Sequence, residues 1–284
     1  MTNIQAQSDS YPASIMRVAD EVLHHPHSVP GITISQLART CRTSETSVVR
    51  FCRTLGFSGY APFKLQMAAE LAAESAQFGE QASYGSDIIL SDTLGEMVAK
   101  ISASERFGIL ETSNNLDLDA LQSVIDSILT AEKALAFGVG ASNASAHDLV
   151  QKLQRIGRAA WSEYDAHNAL VVAALLHAGD VAIGFSHSGA TREVAELLQT
   201  ARAAGATTVA ITNTAGSLVT QHADITLRTA VRETPLRAGA MASRIAQLTI
   251  VDYIFVGVAR ANHDDSIQAL EVTHESVRAL RGAR

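Results

Sequence analysis

The chain has 284 residues, of which 47% are hydrophobic and 18% charged, a composition typical of a globular protein rather than a disordered one. Its length suffices for one large domain or two smaller ones, and its formal net charge of −7 excludes a uniformly basic polypeptide that binds nucleic acid by charge alone. Two cysteines cannot build a metal cluster by themselves, and we recognise no secretory signal or bilayer-length apolar run. A cytoplasmic protein that needs no metal or other cofactor is therefore expected.

Three short helices are predicted near the N-terminus, because apolar residues recur there with the spacing of one helical face. These apolar stripes begin at Ile15, Ile34 and Val48. Ser35 is expected to cap the second helix, and Thr43 or Ser44 the third. The tight turn between the second and third helices predicts a helix-turn-helix unit whose third helix enters the DNA major groove.

The third predicted helix carries the candidate DNA contacts on the face opposite its apolar stripe. These residues are Thr46, Ser47, Arg50 and Arg53. Arginine binds guanine with two hydrogen bonds or neutralises a phosphate, and hydroxyl groups reach phosphates or base edges. Residues 39–64 contain five cations and one anion, a local charge of +4. A helical subdomain with a merely solvated basic face is the alternative that these residues leave open.

A linker separates this helical part from the rest of the chain. Residues 77–92 are rich in glycine, serine and aspartate, as flexible linkers are. Further helices are predicted over residues 62–76, 93–109 and 116–129. We expect a DNA-binding domain over residues 1–78, linker and hinge helices over 79–115, and a second domain over 116–284.

Short apolar runs alternate with amphipathic helices from residue 134 onward, which predicts a parallel sheet covered by helices on both faces. Strands are expected over residues 134–139, 159–162, 181–185, 207–212 and 225–228. The accompanying helices are expected over residues 142–156, 167–176, 192–204 and 217–222, with a long last helix over 240–261. Right-handed crossovers then give a flavodoxin-like five-stranded sheet with the strand order 2-1-3-4-5.

Two turns rich in glycine and hydroxyl groups follow the first and third predicted strands, at residues 138–143 and 186–191. Ligands of such sheets bind at the carboxyl ends of the strands, near the point where the strand order reverses. The second turn carries three hydroxyl groups at the start of a helix, which favours an anion such as the phosphate of a small molecule. The same hydroxyl groups could instead only cap the helix.

The run from Ser44 to Tyr60, followed by Phe63 and Lys64, resembles the helix-turn-helix signature of the RpiR family of bacterial transcription regulators. The second half of the chain resembles the sugar-isomerase (SIS) domain that these regulators carry at their C-terminus. The segments that carry this second likeness are residues 138–142, 152–157, 186–191, 205–206 and 237–244. The resemblance implies a regulator, not an enzyme, whose affinity for operator DNA is set by a phosphorylated sugar.

The resemblance also implies which residues bind the ligand. In SIS domains the loop Ser-x-Ser-Gly-x-Thr binds the sugar phosphate, and here it consists of Ser186, Ser188, Gly189 and Thr191. Ser142 is the matching contact from the turn after the first strand, and Glu233 stands where SIS proteins often carry an acidic residue near the sugar hydroxyls. We expect a homodimer or higher homo-oligomer, because a two-fold dimer presents two recognition helices about one DNA turn apart, ~34 Å.

Two other functions stay open. The SIS site could isomerise a sugar phosphate, with the proton moved by Glu233 or by one of the histidines His147, His167 and His187. Gly138 and Gly140, with Glu163 further on, partly match a dinucleotide fingerprint, although Asn143 replaces its third glycine. A dinucleotide-sensing repressor is therefore the weaker alternative.

Overall fold

The computed structural model describes residues 11–24, 26, 28–78, 88, 91–231 and 240–281. The chain divides into two compact units, residues 1–107 and 108–284, each with a hydrophobic core of its own. Glu233, which the resemblance implies as a ligand contact, lies outside the described residues.

The described part of the first unit is helical. Its helices are α1 (Ala13–His24), α2 (Ile34–Thr40), α3 (Glu45–Thr54) and α4 (Tyr60–Phe78), with a one-turn 3-10 helix at Val29–Gly31. A fifth helix, α5 (Leu94–Asn114), begins in this unit and ends in the second. The three predicted N-terminal helices are confirmed, and their apolar stripes are buried together in one core.

The cap of α2 differs from the prediction. Thr33, not Ser35, caps this helix: its hydroxyl accepts a hydrogen bond from the Gln36 backbone N–H, and the Gln36 side chain accepts one from the Thr33 N–H. This reciprocal arrangement needs a Gln or Glu three residues after the cap, and Thr33 has one where Ser35 is followed by Ala38. Ser44 caps α3 as expected, by accepting from the Ser47 N–H.

The second unit is built on a five-stranded sheet with the order β2-β1-β3-β4-β5, and all of its neighbouring strands are parallel. The strands are β1 (Ala134–Gly138), β2 (Ala160–Ser162), β3 (Val181–Phe185), β4 (Thr207–Thr212) and β5 (Ile225–Arg228). The predicted strand order is thus confirmed. It places the ends of β1 and β3 side by side, with Gly138 paired to Phe185.

Helices cover both faces of this sheet. They are α6 (Leu118–Thr130), α7 (Ala141–Arg155), α8 (Ala166–Ala174), α9 (Arg192–Ala203), α10 (Met241–Ala261) and α11 (His263–Arg281), with a 3-10 turn at Val219–His222. On β3, Ile183 belongs to the core shared with α6, α7 and α10, whereas Ala182 belongs to the core shared with α8 and α9. This alternation is what a parallel sheet packed on both faces requires.

The expectation that the chain ends in a helix over residues 240–261 is wrong, because α11 follows α10. Only 6 of the 19 residues of α11 are charged, but its hydrophobic Ile267, Val272 and Val277 are exposed, so no continuous apolar stripe marks it in the sequence. Among the described residues, α10 alone is long and apolar enough to cross a membrane by composition. Its Ile250 and Ile254 are fully buried in the core beside the sheet, as expected for the central helix of a globular domain.

Candidate functional site

The predicted DNA-reading face of α3 is open. Thr46, Arg50 and Arg53 are exposed and Ser47 is half-buried, while Val48 and Phe51 on the opposite face are fully buried. The rings of Phe57 and Phe51 lie 5.5 and 5.6 Å from that of Phe63, and these edge-on contacts fix the inner face of α3. The packing of the apolar side therefore presents the polar side of this helix outward.

A tight turn joins α2 to α3, and a side chain of α1 stabilises it through hydrogen bonds. Arg42 has a positive φ of 48°, and the next residue, Thr43, donates its N–H to the Ala38 carbonyl over 2.9 Å. The guanidinium of Arg17 on α1 donates to the carbonyls of Cys41 and Arg42 over 3.0 and 3.1 Å. Sequence reasoning missed Arg17, since nothing in its local pattern indicates a partner 24 residues away.

The five cations between residues 39 and 64 differ in their exposure to solvent. Arg39, Arg42, Arg50 and Arg53 are exposed, but Lys64 is half-buried and donates to the Ile32 carbonyl over 3.0 Å. Lys64 therefore stabilises the entry to α2 as well as adding charge.

The two cysteines are core residues. Burial raises the pKa of Cys41 to about 11 and that of Cys52 to about 12, so both thiols are protonated near neutral pH. Among the described residues there is also no group of three or more histidine, cysteine, aspartate or glutamate side chains that could hold a metal ion.

The loop at residues 186–191 leaves β3 and leads into α9. The Ser186 hydroxyl lies 2.8 Å from that of Thr191 and accepts the Gly189 N–H over 3.1 Å. Thr191 is the N-cap residue of α9, yet its side chain makes no capping hydrogen bond in this described part of the chain. The hydroxyl groups thus shape the loop, and the N–H groups of the first turn of α9 are left for another acceptor.

Gly189 is required at its position by both backbone and space. Its φ is +70°, and a Cβ there would lie 2.2 Å from the Ser217 hydroxyl oxygen. The Gly189 carbonyl accepts the Val219 N–H over 3.0 Å. The segment after β4 therefore supports the loop directly.

Ser142 lies at the start of α7, in the turn that follows β1. The Gln247 side chain on α10 donates to its hydroxyl oxygen over 3.2 Å, and Gln247 is 1% exposed. That bond occupies one acceptor site of the Ser142 hydroxyl, and its proton has no acceptor among the residues that the structure describes. Gln247 was not found from the sequence, because 105 residues separate the two partners.

Two residues of the alternative functions, His147 and Asn143, have hydrogen-bond partners within the second unit. His147 contacts the Ser162 hydroxyl through Nδ1 at 2.9 Å and the Gln151 amide through Nε2 at 3.0 Å. Asn143 donates to the backbone carbonyl of Glu163 over 3.0 Å, which ties α7 to the end of β2. The bonds of His147 to Ser162 and of Asn143 to Glu163 therefore both tie α7 to the end of β2.

Comparisons with known proteins bear on both units. The family model of the helix-turn-helix domain of the rpiR family matches residues 1–74, and that of the SIS domain matches residues 127–257. A protein of Caldanaerobacter subterraneus subsp. tengcongensis, named as an uncharacterized HTH-type transcriptional regulator, is 36% identical over 272 residues, 96% of this chain and 94% of that protein. The chain belongs to the RpiR family. The resemblance found in the sequence and the predicted fold class are thereby confirmed.

Two other relatives of this RpiR-family protein also cover nearly its whole length. The HTH-type transcriptional regulator YbbH of Bacillus subtilis is 30% identical over 98% of this chain and 96% of its own. The NanR protein of Vibrio vulnificus, solved with ManNAc-6P, has a TM-score of 0.63 at 27% identity and covers 98% of this chain and 97% of its own. The sugar isomerase domain of an RpiR transcription factor from Sphaerobacter thermophilus covers 63% of this chain and 99% of its own at 20% identity, with a TM-score of 0.58, and shares the fold. This RpiR-family protein is a DNA-binding transcriptional regulator.

Proposed function

We propose that this regulator binds operator DNA through α3 and that a phosphorylated sugar in the SIS domain sets its operator affinity. The DNA contacts are Thr46, Ser47, Arg50 and Arg53. The effector contacts are Ser142, Ser186, Ser188, Gly189 and Thr191, joined by Glu233 on the resemblance to SIS domains. The corresponding domains are residues 1–78 for DNA, 79–115 as linker and hinge, and 116–284 for the effector.

The main support for the effector site is that Thr191, the N-cap residue of α9, makes no capping hydrogen bond with its side chain among the described residues. Had the hydroxyl groups of this loop served only as caps, the first N–H groups of α9 would have an acceptor in the loop. Instead Thr191 pairs with Ser186, so the N–H groups at the start of α9 have no side-chain acceptor in the loop and can donate to an outside anion. The exposed Glu193 in the first turn offsets part of the helix dipole. A phosphate monoester fits this chemistry, since hydroxyl and N–H donors hold it without a nearby lysine or arginine in the loop.

A related structure indicates what kind of molecule carries the phosphate. The NanR structure that covers nearly all of this chain was solved with ManNAc-6P, a sugar phosphate. We therefore propose a phosphorylated sugar as the effector and ManNAc-6P as the first member of a test panel. Fructose 6-phosphate, glucose 6-phosphate and ribose 5-phosphate complete the panel as ketose, aldose and pentose phosphates.

We further propose that the SIS domain senses this sugar without converting it. Isomerisation needs a base within reach of the substrate carbon and a group that aids ring opening. His147, a candidate base, has Ser162 and Gln151 at its two ring nitrogens. Incubation with the panel should show no turnover, and turnover at ordinary enzymatic rates, ~1–10³ per second, would favour the isomerase instead.

The regulator is proposed to act in the cytoplasm as a homodimer or higher homo-oligomer. A two-fold dimer matches an operator with two half-sites about one turn apart, ~34 Å. Both statements follow from the function proposed for the chain, since a bacterial regulator meets its operator in the cytoplasm and an operator with two half-sites needs two recognition helices.

The test uses the full chain and the variant Ser188→Ala. Ser188 is exposed in the loop, and its hydroxyl accepts only the Ala190 N–H among the described residues, over 3.3 Å, so the fold should tolerate its loss. A panel member should raise the melting temperature of the wild type, but not that of Ser188→Ala. Ser123→Ala, an exposed serine on α6, is the matched control and should respond as the wild type does. A full response in Ser188→Ala would remove this loop from the site.

A further inference from the structure

The carbonyl of His187, inside the effector loop, is held by the end of β4. The Asn213 N–H donates to it over 3.0 Å and the Thr212 hydroxyl over 3.3 Å. Thr212 is fully buried and Asn213 is half-buried. The orientation of the peptide that follows His187 is therefore fixed by groups outside the loop.

The side chain of Asn213 extends this connection to residues 229–231, the segment that follows β5. Its Oδ1 accepts the Val231 N–H over 2.8 Å and the Thr229 hydroxyl over 3.3 Å. Thr229 and Val231 are each 1% exposed, so water cannot replace these bonds without opening the core. Asn213 thus bonds to the loop through its backbone and to this segment through its side chain.

Helix α5 contacts the same segment. The hydroxyl of Thr112, a fully buried residue, accepts the Ala230 N–H over 3.0 Å. One turn earlier, Gly108 comes so near to Val231 that a Cβ at 108 would lie 3.3 Å from a Val231 methyl carbon. Since α5 is the helix through which the chain passes from the first unit to the second, this contact lies where the two units join in sequence.

We propose that Asn213 and Thr112 are positioning residues that couple the effector loop to α5. The coupling runs from the His187 carbonyl through Asn213 and residues 230–231 to Thr112. A ligand that prefers one arrangement of the loop then also favours one placement of this buried segment against α5, and operator affinity changes with it. The inference rests on the proposed function and adds the means of its regulation.

A second contact of α5 supplies a control. The Ser113 hydroxyl lies 2.6 Å from that of Tyr253 on α10, and neither residue belongs to the coupling chain. Ser113→Ala therefore removes a hydrogen bond of the same helix without touching residues 229–231. Thr112→Val removes the hydroxyl of the coupling chain while keeping the side-chain shape, and Thr112→Ser keeps that hydroxyl.

The experiment measures how much the effector changes operator binding in the full-length protein. The operator is selected by the wild type from a random DNA pool, and the effector is the panel sugar phosphate that raises its melting temperature most. The ratio of operator dissociation constants with and without this effector is the coupling factor, which we expect to be about 5–150 in either direction for the wild type. Thr112→Val should lower it to within about twofold of 1, while Ser113→Ala and Thr112→Ser keep the wild-type value.

Thr112→Val should still bind the effector and the operator. Its dissociation constant for the effector, and that for the operator in the absence of effector, should be within about threefold of the wild-type values. A full coupling factor in a folded Thr112→Val protein would overturn the inference and leave the proposed function intact. If the wild type binds no panel member, or binds one without any change in operator affinity, the proposed function fails and this inference fails with it.

Hydrogen exchange on the wild type gives an answer even where Thr112→Val does not fold. The effector should change the exchange rates of the amides at 188–190 and, in addition, those of Ala230 and Val231. A change confined to the loop would contradict the coupling chain.

Discussion

Gly189 and Gly216 share a left-handed backbone but differ in their surroundings. Their φ angles are +70° and +64°, yet a Cβ at 189 would meet Ser217, whereas one at 216 would meet nothing within 4 Å. Gly216→Ala should therefore cost only the backbone strain, ~1–2 kcal/mol. Gly189→Ala should add the overlap with Ser217, a further ~1–3 kcal/mol, and abolish effector binding.

Urea denaturation of both variants measures the two costs, and calorimetric titration measures effector binding. Equal losses of unfolding free energy in the two variants would show that the Cβ added at position 189 does not overlap with Ser217.

The buried thiols yield a prediction about reactivity. Because burial raises the pKa of Cys41 to about 11 and that of Cys52 to about 12, neither should react with a thiol reagent near pH 8 until the unit unfolds. With Ellman's reagent, the absorbance of the released thiolate should rise slowly in buffer. In concentrated urea it should rise rapidly to two equivalents per chain. Fast reaction of the native protein would contradict the packing of the first unit.

The same shifts set a pH dependence. In the unfolded chain the thiols deprotonate near their usual pKa of 9.0, but in the folded chain they do so only at about 11 and about 12. Their contribution to stability is therefore complete below pH 9.0 and is lost as the pH rises toward those values. A Cys41→Ala, Cys52→Ala double variant should lose less stability than the wild type between about pH 9 and 11 in urea denaturation.

At the scale of elements, α3 is the part of the molecule that should determine DNA affinity. Arg50→Ala should weaken operator binding by about 1–3 kcal/mol, which corresponds to roughly a 5- to 150-fold rise in dissociation constant, because an exposed arginine on the reading face is lost. Arg155→Ala removes the same charge from an exposed position on α7 and should leave operator affinity nearly unchanged. Fluorescence anisotropy with a labelled operator separates the two outcomes.

Effector binding should be the same in Arg50→Ala and in the wild type, since the substitution lies in the first unit. Unaltered operator affinity in Arg50→Ala would count against α3 as the recognition helix.

How far these elements could be predicted depends on the range of the interactions that define them. The stripes of Val18, Leu37 and Phe51 predict the buried faces of three helices, because helical periodicity is local in the sequence. The hydroxyl-rich turn at 186–191 was found because it follows a buried strand and precedes a helix. By contrast, α11 carries no continuous apolar stripe and was not predicted. The cap at Thr33 was missed although its signature, a glutamine three residues later at Gln36, is local in the sequence.

Contacts between distant residues were beyond the sequence. The bonds of Arg17 to the turn before α3, of Gln247 to Ser142 and of Thr112 to Ala230 span 24, 105 and 118 residues. Nothing in the local pattern of either partner indicates the other, since each bond exists only once the helices and the sheet have packed. The hydroxyl-rich turn and the exposed face of α3 were therefore predictable, and the distant residues that hold them in place were not.

For the whole molecule, the central quantity is its state of association. A chain of 30.1 kDa should sediment as a particle of at least twice that mass if the regulator is a homodimer or higher homo-oligomer. Footprinting on the selected operator should then show two protected half-sites about one turn apart, ~34 Å. Sedimentation as a monomer at micromolar concentration, with a single protected half-site, would contradict the two-headed reading of DNA.

The most direct test of effector-controlled DNA binding is a titration of the operator complex with the sugar phosphate panel, monitored by fluorescence anisotropy. At a concentration of effector that saturates the thermal shift, the operator dissociation constant of the wild type should change by about 5- to 150-fold, and that of Ser188→Ala should not change. Unchanged operator affinity in the presence of every panel member, including one that binds the SIS domain, would contradict control of DNA binding by a phosphorylated sugar.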